Sequence, residues 1–316
     1  VAIRSALIKY GIYFVLLFLI LFFSVASDAF LSVNNLLNIL RQVSIIGIVA
    51  VGMTYVILTA GIDLSIGSII GVSAVLAAKL MLFGMNPFLA CIITLIVGII
   101  IGLMNTYFIH EIQIPPLIVT LATLTALRGI AYIITGGLPV YGLPEGYSIV
   151  GQGYFLGIPV PVIVMIVCFV AGYIVLEKTR FGRYVYGVGS NEEASRLSGV
   201  NVRKVKYIAY CLSGFLSALA GLVLLSRVNS GQPTAGTGYE LDVIIGVVLG
   251  GVSMNGGEGR ISGVITGILI MGVLTNGMIL LNISEYYQLV VKGGVLLLAV
   301  SLDYMTKKRR VKVATT

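Results

Sequence analysis

Apolar runs of about 20 residues recur from one end of this chain to the other. They are continuous, without the strand-like alternation of apolar and polar residues over about ten positions that a membrane barrel needs. Such runs can only cross a bilayer as helices, because a helix satisfies its own backbone there. The runs cover residues 10–27, 43–61, 62–83, 87–109, 117–135, 158–176, 207–228, 243–254, 261–281 and 286–302. They predict an all-α integral membrane protein of about ten transmembrane helices. The eighth run is short and is open to a re-entrant or broken helix. With 58% hydrophobic and 10% charged residues, and a mean hydropathy of +1.07, no soluble domain of this length fits.

The formal charge is +8, and its sources lie between the runs. Arg4, Lys9, the segment 177–206, Arg260 and the tail from Lys307 to Lys312 all fall on one side of a ten-span topology. The positive-inside rule then places both termini in the cytoplasm. Nucleic acid is not needed to explain the charge. Cys91, Cys168 and Cys211 sit inside apolar runs, so no disulfide framework is expected. A single histidine, His110, argues against a histidine-rich metal site or a Ser–His–Asp triad. No P-loop motif occurs, and GQGYFLG and GGEGRISG follow no strand of a βαβ unit. The first run lacks a small-residue cleavage site and reads as a span, not a signal peptide. Residues 28–42 read as an external interfacial helix, with Leu31, Leu36, Leu37 and Leu40 near one face.

The longest polar interruption is 177–206, with Lys178, Arg180, Arg183, Arg196, Arg203, Lys204 and Lys206. Within it SNEEASRLSG reads as a short helix. Ser190 is the expected N-cap, Glu193 completes a capping box, and Gly199 is the left-handed stop. About two turns of helix are marginal alone in water. The segment is either a docking element or an ordinary surface helix.

Charges also stand inside the runs. Asp63, in TAGIDLSIGS, breaks the chain between the second and third runs with Gly61, Ser65, Gly67 and Ser68. It reads as a cap of the third helix or as a functional carboxylate. Arg128 either snorkels or faces an aqueous cavity, and Lys292 stands in the last run. Pro115 and Pro116 open the fifth. Glycines at Gly98/Gly102 and Gly246/Gly250 suit close helix packing. TAGIDLSIGSIIG and NGGEGRISGVITG share glycines at Gly61/Gly257, Gly67/Gly263 and Gly71/Gly267, a weak internal echo. Segments 136–157 and 229–242 are polar, glycine-rich and external.

Five stretches together resemble a known family. They are VGMTYVILTAGIDLSIGS (51–68), IPPLIVTLATLTALRGIAYIITGG (114–137), TRFGRYVYGVGSNEEASRLSGVNV (179–202), QPTAGTGYELD (232–242) and VVLGGVSMNGGEGRISGVITG (247–267). The chain resembles the permease subunit of a bacterial ATP-binding-cassette sugar importer of the ribose/xylose/arabinose type. Its last hundred residues most resemble ribose permeases. The resemblance implies a single transmembrane permease domain over 1–316, of the type II importer kind, in the bacterial cell membrane. A cytoplasmic coupling loop over 177–206 and a basic cytoplasmic tail over 303–316 belong to it. It implies a pair of permease copies in lipid, a cytoplasmic ATPase with two cassettes that uses ATP and Mg, and an extracytoplasmic sugar-binding protein. No cofactor is bound by this chain, and no catalysis is its own.

Within that resemblance Asn191, Glu192, Ala194, Leu197 and Gly199 match the coupling helix, Ser195 replaces a usual alanine, and Ser190 and Glu193 complete the segment. Asp63, Ser65, Asn105, Thr120 and Arg128 are candidates for the translocation pathway or a structural corner. Gln232, Thr234, Tyr239 and Glu240 are candidates for a loop facing the binding protein. Thr106, Val243 and Gly246 depart from the family's pattern. The expected cargo is a monosaccharide, ribose first. A neutral sugar asks for neutral hydrogen-bonding groups along its path. The alternative is an ion-coupled secondary transporter using Asp63, Arg128 and Lys292.

Overall fold

The computed structural model describes residues 2–314, and the side chains of residues 11–301 and 303–305. In chain order the helices are α1 (Ala2–Ala26), α2 (Val33–Leu58), α3 (Ile66–Leu82), α4 (Pro87–Thr106) and α5 (Pro116–Thr135). A π-helical turn, Tyr107–Glu111, continues α4. Then come α6 (Ile149–Gln152), the hairpin β1 (Tyr154–Phe155) and β2 (Ile158–Pro159), α7 (Val160–Lys178), α8 (Arg180–Ser190) and α9 (Glu192–Leu197). The chain finishes with α10 (Val202–Val228), α11 (Tyr239–Leu249), α12 (Ile261–Leu280) and α13 (Glu285–Ala314). Arg4, Lys9 and Lys307 to Lys312 carry side chains outside the described residues.

Among the described residues seven helices are long and apolar enough to cross a membrane. They are α2, α4 with its π turn, α5, α7, α10, α12 and Glu285–Met305 of α13. The apolar part of α1 (Gly11–Ala26) and α3 are shorter, and α11 has only 11 residues. At 1.5 Å per residue α11 is about 16 Å long, near half of a hydrocarbon core of about 30 Å. The eighth run is thus a half-length helix.

Helices α2, α10 and α12 form the centre, while α4, α5 and α7 keep most of their surface outward. Helix α10 packs against α4, α2 and α3. The contact with α4 is made backbone to backbone: a Cβ on Gly214 would collide with the Gly98 carbonyl, and one on Gly98 with the Gly214 carbonyl. This bears out the packing role of Gly98 and matches the rule that small residues let membrane helices approach. Proline opens α4 and α5, where its missing N–H costs nothing.

Four expectations need correction. Residues 28–42 are not a separate interfacial helix, because α2 runs unbroken from Val33, capped by Ser32. Its polar Asn35 lies buried because its amide is satisfied: Asn35 and Asn276 donate to each other at 3.0 and 2.9 Å, and Asn35 also donates to the Phe30 carbonyl. The basic segment holds a further helix, α8, with Gly182, Val185, Val188 and Gly189 buried on one face. Helix α10 begins at Val202 rather than 207, so Arg203, Lys204 and Lys206 stand on its first turns. The segment 136–157 includes a structured cap: Val140 pairs with Gly231, and Tyr147 donates to the Leu222 carbonyl at 3.1 Å.

Candidate functional site

The break between α2 and α3 is the centre of a polar cluster. Helix α2 stops at Thr59, Ala60 takes a positive φ of 60°, and the chain passes through Gly61 to Asp63. One oxygen of Asp63 accepts from the Ser65 amide (3.1 Å) and hydroxyl (2.5 Å). The other accepts from the Ser213 hydroxyl of α10 at 2.8 Å. The Asn105 amide of α4 donates to the Ser65 hydroxyl at 3.0 Å, and Thr123 of α5 donates to the Asn105 carbonyl oxygen at 2.6 Å. The Ile62 carbonyl accepts from Thr120 (3.3 Å) and Tyr210 (3.4 Å). Asp63, Ser65, Asn105, Thr120 and Ser213 are fully buried.

Four of the residues singled out in the sequence therefore meet here: Asp63, Ser65, Asn105 and Thr120. Arg128 does not. Asp63 also does less capping than expected, since it takes one amide, that of Ser65, and otherwise hydroxyls. Its carboxylate is met by neutral donors, and among the described residues it makes no ion pair. Burial without bonds would cost several kcal/mol, so the bonds are what allow it. Ser213, Thr123 and Tyr210 were missed by sequence reasoning, because single hydroxyls in an apolar run carry no signal of which face they occupy.

Arg128 reaches the segment between α10 and α11. Its Nη1 donates to the carbonyls of Pro233 (2.8 Å) and Ala235 (2.9 Å). That segment does not stay at the end of the bundle. Gly231 packs on Ala74 and Ala78 of α3, while Gly236 packs on the Gly67 carbonyl and Ile70. Along α3 this is a descent of about 10 Å. Thr234 is exposed, and Gln232, Tyr239 and Glu240 are half-buried. A Cβ on Gly67 would collide with the Glu240 carboxylate, so Glu240 is turned inward against α3 and is no surface-loop residue. Irregular backbone at this depth survives where it is buried in protein or lines a cavity. Just beyond, Asp242 on α11 pairs with Lys292 of α13 at 2.8 Å. The sequence shows both charges but not that they meet.

The third element is the α8–α9 pair. Gly189 of α8 lies directly on the Leu58 carbonyl and on Gly257, whose amide donates to Leu58 at 2.9 Å. The two glycine-bearing corners of the echo therefore touch, with α8 across them. Burial and the neighbouring Glu177 push the Tyr186 phenol up to about 12, so it keeps its proton and donates to the Gly259 carbonyl at 3.0 Å.

Helix α9 departs from its expected cap. Ser190 is the last residue of α8, and the N-cap is Asn191, whose side chain accepts from the Ala194 amide at 2.9 Å. A residue that ends one helix has no extended backbone with which to cap the next; Asn191, at φ −159°, has it. Glu193 pairs with Arg196 at 3.3 Å in place of a capping box. Gly199, at φ +83°, is the left-handed stop as expected. Ser195 is buried against α8 at Gly187, while Ala194 is exposed and Leu197 is 81% exposed. Glu192 accepts from Lys206 of α10 at 2.6 Å, and Arg203 of α10 meets Glu111 of the π turn at 2.7 Å. The outer side of α9 thus presents Ala194 and Leu197 beside the exposed Glu193–Arg196 pair, on a base held by ion pairs.

Over residues 35–300 the chain matches the family described as branched-chain amino acid transport system / permease component. It is 50% identical over 297 residues to the ribose import permease protein RbsC of Bacillus subtilis, covering 93% of this chain and 92% of that one. To RbsC of Escherichia coli K12 it is 47% identical over 292 residues, 91% of each. The xylose transport system permease protein XylH of Haemophilus influenzae is 37% identical over 351 residues, covering 91% of this chain and 94% of its own. No solved structure matches. The chain belongs to this permease family, with ribose import permeases among its relatives, as a multi-pass protein of the inner membrane.

Proposed function

We propose that the chain is the membrane subunit of an ATP-binding-cassette importer that translocates a monosaccharide, ribose first. Sugar arrives from an extracytoplasmic binding protein, and a cytoplasmic ATPase of two cassettes supplies the energy from ATP and Mg. Two permease copies form the pore, each with ten spans and cytoplasmic termini, counting α1, α3 and the half-length α11. The observation that carries this reading is α9. A six-residue helix cannot hold itself in water, yet this one is capped at both ends, braced by Lys206, and presents Leu197 outward. Such a helix suits the groove of a partner. Its base rests through α8 on the corner at Leu58, so a push on α9 reaches the polar cluster around Asp63.

An ion-coupled carrier would need free intramembrane charges. Here Lys292 is paired with Asp242, Arg128 is spent on two carbonyls, and Asp63 is saturated by hydroxyls and an amide. That favours the ATP-driven reading. The test is uptake of labelled ribose into proteoliposomes carrying the permease, its ATPase and its binding protein. Uptake is expected to require all three and ATP, and to survive a protonophore. Uptake that collapses with the proton gradient at constant ATP would favour the ion-coupled carrier.

A further inference from the structure

The inward segment between α10 and α11 borders a half-open cavity of about 250 Å³. Ser230, Gln232, Thr234, Thr237 and Tyr239 line it, with Leu225 and Val228 among the apolar residues of the other wall. No lining residue carries a charge. Several polar groups are already spoken for. Gln232 donates its amide to the Ser230 hydroxyl at 3.2 Å, and Thr237 donates to the Thr234 carbonyl at 2.7 Å. The Gln232 amide oxygen, the Thr234 hydroxyl and the Tyr239 phenol make no hydrogen bond to any of the described residues. Thr234 stands exposed at the mouth of the cavity, and Gln232 and Tyr239 are half-buried, so these groups are open to an incoming molecule.

We infer that this cavity is a transient station for one neutral sugar ring within each permease copy. The inference rests on the importer reading and gives it a place. The volume lies just under the range of about 300–1,000 Å³ typical of drug-sized ligands, which gives room for a single sugar ring. The Gln232 oxygen accepts from a sugar hydroxyl. The Thr234 hydroxyl and the Tyr239 phenol donate or accept, and the leucine and valine wall takes the C–H face of the ring. A phosphate or carboxylate finds no cation in the lining. Arg128 is a positioning residue: by holding the carbonyls of Pro233 and Ala235 it fixes the wall that carries Gln232 and Thr234. So few contacts make weak binding, which suits a station that must release its cargo onward.

The chain contains no tryptophan, so a single introduced indole reports from the cavity alone. Val228→Trp places it on the apolar wall. In the purified full-length permease, ribose is expected to quench this fluorescence saturably, in the millimolar range, whereas sucrose and ribose 5-phosphate leave it unchanged. Adding Gln232→Ala and Thr234→Val is expected to weaken the ribose response at least tenfold, and Thr234→Ser alone to retain it. No saturable quenching by ribose, equal quenching by sucrose, or an unchanged response in the double replacement overturns the station. The importer reading fails separately, by absence of ATP-dependent ribose uptake in the unmodified complex.

Discussion

Lys292 of α13 lies 2.8 Å from the carboxylate of Asp242, the fourth residue of the half-length helix α11. Both side chains are mostly removed from solvent. Apart from this pair α13 is a largely outward-facing helix. The ion pair therefore fixes the register of α13 against the short helix that follows the inward segment. Removing one partner strands the other charge, at a cost of about 3–5 kcal/mol. Lys292→Met and Asp242→Asn are each expected to lower the yield and thermal midpoint of the purified protein. The double replacement recovers most of the loss, measured by thermal unfolding in detergent. Additive losses would show that the two side chains act independently.

The corner at Asp63 yields a graded series. Asp63→Ala leaves the hydroxyls of Ser65 and Ser213 buried without an acceptor, at about 1–3 kcal/mol each. Asp63→Asn keeps one acceptor oxygen and loses less. Asp28, exposed in the turn before α2, offers a control, and Asp28→Asn is expected to change neither stability nor uptake. The check is thermal stability beside ATP-driven uptake. Equal, negligible effects at both positions would reduce Asp63 to a replaceable turn residue.

For α9 the cap assignment separates two neighbours. Asn191→Ala removes the acceptor for the Ala194 amide and is expected to destabilise α9 by about 1 kcal/mol. Ser190→Ala removes a hydroxyl that caps nothing there and is expected to be silent. Hydrogen exchange over 191–199 reads this directly, and the opposite ranking would restore Ser190 as the cap.

Glu192→Lys turns the 2.6 Å contact with Lys206 into a repulsion, and Gly199→Pro demands a negative φ where the chain needs +83°. Both variants are expected to insert and to fail in co-purification with the ATPase and in uptake. Normal uptake by either would remove α9 from the coupling role.

At Gly214 a side chain has no room, because the Gly98 carbonyl is already in contact. Gly214→Leu is expected to separate α4 from α10 and, through Asn105, to open the polar cluster. Limited proteolysis of the membrane-inserted protein would register this, and Gly129→Leu, where a Cβ meets nothing within 4 Å, supplies the tolerant control.

The sequence by itself determined the solvent and the element type. Twenty-residue apolar runs admit only helices in a bilayer; proline opens two of them at Pro87 and Pro116, and Gly199 stops the short helix of the polar segment. It also marked Asp63 as a carboxylate out of place in apolar surroundings, and made Ser65, Asn105 and Thr120 candidates beside it. Only the tertiary structure decided what those residues meet. Ser213 lies 150 positions from Asp63, and a hydroxyl in a run of leucines does not announce its partner. Ser190 and Asn191 are both good caps in the abstract, and the choice fell to Asn191 because α8 claims Ser190 for its own last turn. The inward course of residues 231–240 was equally hidden. A glycine- and threonine-rich stretch reads as an outer loop until Arg128 and the bare face of α3 at Gly67 and Gly71 give its carbonyls and backbone a place inside.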